Sequence, residues 1–80
     1  MSYAPFVGEL VKSLVSNPND VDVEEEVNGN TRTFHIAVNT EDTGKVIGKN
    51  GKVINAIRLV VSGVATKERE RAFVKIVTND

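Results

Sequence analysis

The sequence of 80 residues contains no cysteine and no tryptophan, and it has only one histidine. Without cysteine neither a disulfide nor a thiolate metal site can form, and one histidine alone does not make a zinc site. No apolar run approaches the roughly 18 residues of a membrane span, and the first residues lack the basic segment of a secretory signal. These absences predict a cytoplasmic protein with no membrane segment, no metal and no other cofactor.

The short chain also limits the chemistry. One domain over residues 1–80 is expected, and a domain of this size buries roughly 60–65% of its unfolded surface, which leaves little depth for an enclosed substrate cavity. The acidic run at residues 24–26 does not make a catalytic pair, because neighbouring strand residues point to opposite faces. We therefore expect a protein that is not an enzyme, has no small-molecule substrate and binds its partner at the surface.

The charge is distributed unevenly along the chain. Residues 1–44 carry two basic and eight acidic side chains, a net charge of −6, whereas residues 45–80 carry eight basic and three acidic side chains, a net charge of +5. No acidic residue occurs from Lys45 to Lys67. The overall charge of −1 therefore conceals a basic second half, which is the part expected to meet a polyanion.

The first half of the chain changes from a helical to a strand period. Apolar residues between 6 and 15 recur at helical spacing, which predicts a first helix of roughly four turns that ends at Asn17-Pro18. Residues 21–27 and 31–39 then alternate between apolar and polar, and Asn28-Gly29 accepts the positive φ angles of a tight turn. This pattern predicts an antiparallel hairpin.

The second half predicts two helices and a third strand. A short helix is expected over 41–47, a longer one from 52 to about 66 and a strand over 72–78. The order α-β-β-α-α-β describes an α+β fold in which a three-stranded sheet packs against helices. The three phenylalanines are expected in the core: Phe6, Phe34 and Phe73.

A glycine-flanked loop, Gly48-Lys49-Asn50-Gly51, joins the two later helices. Glycine permits a sharp turn and lets another backbone come close, and the amide groups that begin the following helix attract phosphate oxygens. Lys45, Lys49 and Lys52 add cations around the loop. Neither the P-loop spacing nor the dinucleotide-binding spacing is present, so the pattern favours a surface that holds a sugar-phosphate backbone.

Residues 46–54 read VIGKNGKVI, which resembles the K-homology (KH) signature V-I-G-x-x-G-x-x-I at every fixed position. The element order resembles the prokaryotic, type II form of this domain, with its β-α-α-β core at about 31–78. The likeness is greatest to the small stand-alone bacterial KH proteins of the KhpA (YlqC) group. The resemblance implies an RNA-binding protein whose GXXG loop clamps the backbone of about four nucleotides.

Carried over by position, the resemblance gives a set of candidate RNA-binding residues. The clamp is expected at Gly48, Lys49, Asn50 and Gly51, with the cations Lys45, Lys52 and Arg58 beside it. The floor of the adjoining groove is expected among the apolar residues Val46, Ile47, Val53, Ile54 and Ile57.

Several functions remain open at this point. The first is an RNA chaperone or post-transcriptional regulator that binds single-stranded RNA, and the alternatives are a single-stranded DNA binder or a protein-interaction and dimerisation module with a KH-like scaffold. The resemblance also implies a homodimer, or a heterodimer with a second KH-containing protein of the KhpB/Jag kind. Leu59 projects away from the apolar face of its helix, as expected of a residue that contacts a second chain.

Overall fold

The computed structural model of the protein, which describes residues 3–79, has an α+β fold consistent with the type II KH arrangement. The predicted order of helices and strands is confirmed. The elements are α1 (Ala4–Lys12), β1 (Asp22–Asn28), β2 (Thr31–Asn39), α2 (Thr43–Ile47), α3 (Lys52–Lys67) and β3 (Arg71–Asn79). Short 3-10 turns precede β1, α2 and α3.

The three strands form a mixed sheet with β2 in the centre. The hairpin pairs β1 and β2 antiparallel, whereas β3 pairs with β2 in parallel. A parallel neighbour requires a long crossover connection, and α2 and α3 provide it here. Because of this crossover, the joint between the two helices lies outside the sheet, where a ligand can reach it.

The core lies between one face of the sheet and the helices α1 and α3. Alternate residues of β2 point into it, and Phe34, Ile36 and Val38 are completely buried. α1 contributes Val7 and Val11, and the other buried apolar residues are Tyr3, Val46, Ile54, Ile57, Val61, Ala65 and Val74.

The first helix is shorter than predicted. It ends at Lys12 rather than near Asn17, although the apolar spacing continues to Val15. The backbone N–H groups of Ser16 and Asn17 donate instead to the carboxylate of Asp42, each at 3.0 Å. The carboxylate of Asp42, 25 or 26 residues further along the chain, therefore competes for the amide groups that would continue the helix. The apolar spacing of residues 6–15 gives no sign of this distant partner.

Two of the three phenylalanines lie outside the core. Phe34 is buried, but Phe6 is 46% exposed and Phe73 is 52% exposed. β3 is apolar at consecutive positions, so its sequence does not indicate which set of alternate residues points inward. In the sheet Val74 pairs with Phe34 and faces the core, which turns Phe73 to the opposite side.

An ion-pair cluster closes one end of the sheet. The Nε of Arg32 donates to both carboxylate oxygens of Glu70 at 2.9 Å, and its Nη1 donates to Glu25 at 2.7 Å. The guanidinium lies 5.2 Å from the ring centroid of Tyr3. This cluster, called the Arg32 cluster below, connects the start of α1 to β1, to β2 and to the turn before β3.

Candidate nucleic-acid interface

The loop between α2 and α3 is built from residues in unusual backbone conformations. Gly48, Asn50 and Gly51 have φ angles of +76°, +58° and +75°. Glycine adopts positive φ without a steric cost, and asparagine tolerates the left-handed region better than most residues. The sequence Gly-Lys-Asn-Gly therefore matches the turn position by position, and it directs the side chain of Lys49 out to solvent.

The two glycines are required for different reasons. A Cβ atom on Gly48 would lie 2.4 Å from Cγ2 and 2.8 Å from the backbone N of Val53, so there is no space for a side chain. A Cβ on Gly51 would find its nearest neighbour at 3.7 Å, which is ordinary contact, and only the positive φ disfavours substitution. Gly48 thus allows the loop to fold back on the start of α3.

The lysines around the loop have different surroundings. Lys49 and Lys52 are exposed, and among residues 3–79 neither has a hydrogen-bond or ion-pair partner. Lys45 donates a hydrogen bond to the hydroxyl of Ser16 and lies 3.6 Å from a carboxylate oxygen of Asp42. Two cations therefore remain available at the loop, while the third is held by side chains of the protein.

Asp42 is completely buried and anchors the start of α2. Burial by itself raises the pKa of this carboxyl group, but hydrogen bonds from Ser16 and Asn17 and the charge of Lys45 outweigh it, so the pKa is lowered. The side chain of Asn17 adds a hydrogen bond of 3.0 Å. The ionised carboxylate thus joins the segment after α1 to the helix that leads into the loop.

The predicted groove floor divides into two groups. Val46, Ile54 and Ile57 are at most 6% exposed and form part of the core beneath the loop. Ile47 is 38% exposed and Val53 is half-buried, so these two present apolar surface beside the glycines. The buried group supports the loop, and the accessible group is the part of the predicted floor that a ligand can touch.

Arg58 spans the space between α3 and the edge of the sheet. Its Nε and Nη2 both donate to the carbonyl oxygen of Val74 at 3.3 Å, and its Nη1 lies 3.4 Å from Oδ1 of Asn55. The Nδ2 of Asn55 lies 3.7 Å from the position of a Cβ on Gly51. A row of polar side chains therefore leads from the loop to β3.

Two adjoining cavities continue this row between α3 and β3, and together they are called the α3–β3 groove. The cavity nearer the loop has a volume of about 430 Å³ and is lined by Arg58, Ser62, Ala72, Phe73, Val74 and Lys75. The second has a volume of about 310 Å³ and is lined by Ser62, Thr66, Glu70, Arg71, Ala72 and Phe73. Among the residues that line this groove, only Arg58 was predicted from the sequence, because strand pairing decides which residues line an edge.

A third cavity, of about 300 Å³, lies on the other side of α3 and is almost entirely apolar. We call it the α1–α3 groove; it is lined by Leu10, Leu14, Lys52, Val53, Ala56, Ile57 and Val60. Leu59, which is 76% exposed as predicted, lies on the outer side of the same helix.

The described residues contain no group of three or more side chains that could hold a metal ion. None of the described helices has the length and apolar character needed to cross a membrane.

Comparison with known proteins gives consistent results. The family profile "KhpA/KhpB, KH domain" matches residues 4–76. Proteins named "RNA-binding protein KhpA" are 43% identical in Clostridium perfringens, over 85% of this chain and 91% of the relative, and 43% identical in Caldanaerobacter subterraneus, over 89% and 100%. The relative of the same name in Halalkalibacterium halodurans is 38% identical over 90% of this chain and 95% of its own length.

A solved structure shares the fold. The crystal structure of an Aquifex aeolicus Era variant bound to GDP and tetrafluoroaluminate superposes with a TM-score of 0.61 at 15% identity. The match covers 94% of this chain but only 29% of the Era chain.

Proposed function

Because this chain belongs to the KhpA/KhpB KH-domain family, we propose that it is a non-catalytic RNA-binding protein that clamps single-stranded RNA with its Gly48–Gly51 loop. The observation that carries the proposal is the left-handed turn at Gly48, Asn50 and Gly51, with two unpartnered lysines beside it within the described chain. The family relatives bear RNA binding in their name. In the cell such a protein acts as an RNA chaperone or a post-transcriptional regulator.

The clamp works through the backbone of the RNA. Phosphate oxygens approach the loop where Gly48 and Gly51 carry no side chain, and Lys49 and Lys52 neutralise their charge. Ile47 and Val53 offer accessible apolar surface to the neighbouring bases. A single strand fits this arrangement better than a duplex, because in a single strand the bases are free to turn toward the protein.

Charge reversal at the loop tests this clamp. Aspartate, like asparagine, tolerates the left-handed conformation that residue 50 adopts. The double variant K49D/N50D is therefore expected to remain folded while RNA binding is lost. The matched control is K12D/N19D, which makes the same change in charge at exposed positions before β1. Fluorescence anisotropy with single-stranded RNA, single-stranded DNA and duplex RNA measures the loss. Undiminished RNA binding by folded K49D/N50D contradicts the proposal.

The salt dependence of binding counts the lysines in contact. Each phosphate neutralised on a single strand contributes a slope of about −0.7 in log affinity against log salt, so Lys49 and Lys52 predict about −1.4 and a further contact from Lys45 about −2.1. Because Lys45 is engaged with Ser16 and Asp42, we expect the smaller slope. Anisotropy titrations at several salt concentrations distinguish the two.

The α1–α3 groove supports a second part of the proposal, self-association or pairing with another KH-containing protein of the KhpB/Jag kind. Val60 is 45% exposed beside this groove and Leu59 is 76% exposed next to it. Two small domains joined in this way hold RNA more tightly through effective concentration. Val60→Asp is expected to yield a monomer in sedimentation experiments, whereas Val77→Asp, at a site that is 44% exposed on the sheet, leaves association unchanged. A monomeric wild type with no KH-containing partner in cells contradicts this part.

A further inference from the structure

We infer that Ser16 and Asp42 are positioning residues of the RNA clamp, which hold Lys45 away from the RNA and limit the clamp to two lysine–phosphate contacts. This inference rests on the proposed function, since it concerns the same loop. It makes Lys45 a third cation that lies within reach of the bound strand but is withheld from it. The pair Ser16 and Asp42 is called the Lys45 cradle below.

The first observation is how the Lys45 cradle holds the ammonium group. Lys45 donates a hydrogen bond to the hydroxyl of Ser16, and its Nζ lies 3.6 Å from Oδ1 of Asp42. Asp42 precedes Lys45 by three residues, so the two lie on the same side of α2. Ser16 is 29 residues earlier in the chain. The ammonium group is thus bound from two sides, by the start of its own helix and by the segment after α1.

The second observation is that the cradle does not need Lys45. The buried carboxylate of Asp42 accepts hydrogen bonds from the backbone N–H groups of Ser16 and Asn17 and from Nδ2 of Asn17, each at 3.0 Å. The carboxylate therefore keeps three donors when the lysine leaves. The side chain of Lys45 is 50% exposed, so its departure opens no part of the core. Ion pairs with an exposed partner add little to stability, and the fold does not depend on this one.

The third observation is the position of Lys45 relative to the loop. Lys45 lies three residues before Gly48, at the end of the same short helix. Residues with this spacing are neighbours on a helix surface, about 5–6 Å apart. The ammonium group of lysine stands on a flexible aliphatic stem, so it can reach a phosphate at Gly48 when it is not held. The backbone thus offers a third contact, and the cradle directs the side chain elsewhere.

Withholding this cation lowers the part of the affinity that does not depend on base sequence. A lysine–phosphate contact forms with any nucleic-acid strand, and its contribution grows as the salt concentration falls. With only Lys49 and Lys52 in contact, the bases that touch the protein contribute a larger share of the binding energy. The Lys45 cradle therefore favours discrimination between strands over affinity.

A double-mutant cycle between Asp42 and Lys45 tests the inference. Asp42→Asn removes the charge that holds the lysine, and we expect single-stranded RNA to bind about two- to fivefold more tightly. The slope of log affinity against log salt is expected to steepen from about −1.4 to about −2.1. Lys45→Met is expected to return the slope of Asp42→Asn to about −1.4 and to change the slope of the natural protein by much less. Fluorescence anisotropy at several salt concentrations measures all four proteins.

Glu41→Gln is the matched control for the loss of a negative charge. Glu41 is exposed, precedes Asp42 in the chain and accepts a hydrogen bond from Asn17 rather than from Lys45. It removes the same charge from nearly the same place but leaves the Lys45 cradle intact. The salt slope of Glu41→Gln is therefore expected to equal that of the natural protein.

Ser16→Ala releases the lysine by a second route. It removes the hydroxyl that Lys45 binds but keeps the backbone N–H that Asp42 accepts. We expect the salt slope to steepen in the same direction as in Asp42→Asn, by a smaller amount because the carboxylate remains. This variant carries the test if Asp42→Asn does not fold.

Three results overturn the inference. The first is an unchanged salt slope in Ser16→Ala and in folded Asp42→Asn, which means that the cradle withholds nothing. The second is an equal effect of Lys45→Met in the natural and the Asp42→Asn backgrounds, which means that Lys45 already contacts the RNA or never does. The third is an equal steepening in Glu41→Gln and Asp42→Asn. Loss of RNA binding in K49D/N50D supports the clamp under any of these results, so the two proposals fail separately.

Discussion

The two ends of the molecule use charged residues in opposite ways. In the Arg32 cluster the guanidinium is bound by Glu25 and Glu70, and these three side chains are only 13–16% exposed. At the loop Lys49 and Lys52 are exposed and have no partner among the described residues. Charges that are paired within the chain hold the fold together, whereas charges left unpaired beside a glycine turn are available for a ligand. Net charge alone does not make this distinction.

The largest expected effect lies at the loop itself. Gly48→Ala combines a Cβ at 2.4 Å from Val53 with a strained positive φ, and we expect it to lower the free energy of unfolding by about 2–4 kcal/mol and to abolish RNA binding. Gly51→Ala carries only the conformational strain and is expected to cost about 1–2 kcal/mol. Urea unfolding compares the two. An equal cost at both positions means that the contact with Val53 does not shape the turn.

One substitution in the Arg32 cluster and one at the loop test whether paired charges serve stability and unpaired charges serve binding. Arg32→Met leaves two carboxylates without their shared partner, so we expect a lower melting temperature and unchanged RNA affinity in the folded protein. Lys52→Met is expected to change the free energy of unfolding by no more than about 0.5 kcal/mol and to reduce the salt slope of RNA binding by about 0.7. Thermal melts and anisotropy on both variants complete the test. If folded Arg32→Met binds RNA more weakly than the wild type, the Arg32 cluster does not serve the fold alone, and the contrast with the loop is wrong.

The acid dependence of stability reports on Asp42. Its pKa in the folded protein is lowered because the hydrogen bonds from Ser16 and Asn17 outweigh burial, so below about pH 5 the unfolded chain binds more protons than the folded one. The stabilisation is complete about one pH unit above the ordinary carboxyl pKa of about 3.9 and is lost as the pH falls through the folded pKa. Asp42→Asn is expected to show a smaller loss than the wild type between about pH 5 and pH 2. If the free energy of unfolding falls with pH equally in the wild type and Asp42→Asn, the ionised carboxylate of Asp42 does not stabilise the fold.

A small gain in stability is expected at one position of α3. Gly63 lies in the interior of α3, where a Cβ would meet nothing within 4 Å. Gly63→Ala is therefore expected to raise the free energy of unfolding by about 0.5–1 kcal/mol, since alanine favours the helix. If Gly63→Ala also reduces RNA binding or self-association, the absence of a side chain at this position is what lets the RNA or a second protein chain come close to α3.

The local pattern of the sequence was sufficient for the secondary structure except for the end of α1. The helical spacing around Ile54 and Ile57, the alternation around Phe34 and Ile36, and the turn at Asn28-Gly29 each place an element to within one or two residues. The loop was equally readable, because glycine and asparagine at residues 48–51 describe the left-handed conformations that it adopts. These features depend on near neighbours in the chain.

Other features were not readable because their partners are distant in sequence. α1 ends early where Ser16 and Asn17 donate to Asp42. The same carboxylate engages Lys45, which the sequence pattern does not distinguish from the free lysines of the loop. Val46 was expected in the groove floor but is buried in the core. An apolar stripe on a helix does not show which of its residues are covered by the rest of the protein.

The sequence by itself determined the order of the elements, the hairpin and the glycine turn that relates this chain to its family, because each depends on backbone preferences acting over a few residues. The tertiary structure alone decided which charges are paired, which apolar residues are covered and which edge of the sheet lies beside α3. Those outcomes depend on contacts between segments far apart in the chain, such as Arg32 with Glu70 and Arg58 with Val74. Phe73 illustrates the division, since its strand was predicted from the sequence and its exposure arises only from the pairing of β3 with β2.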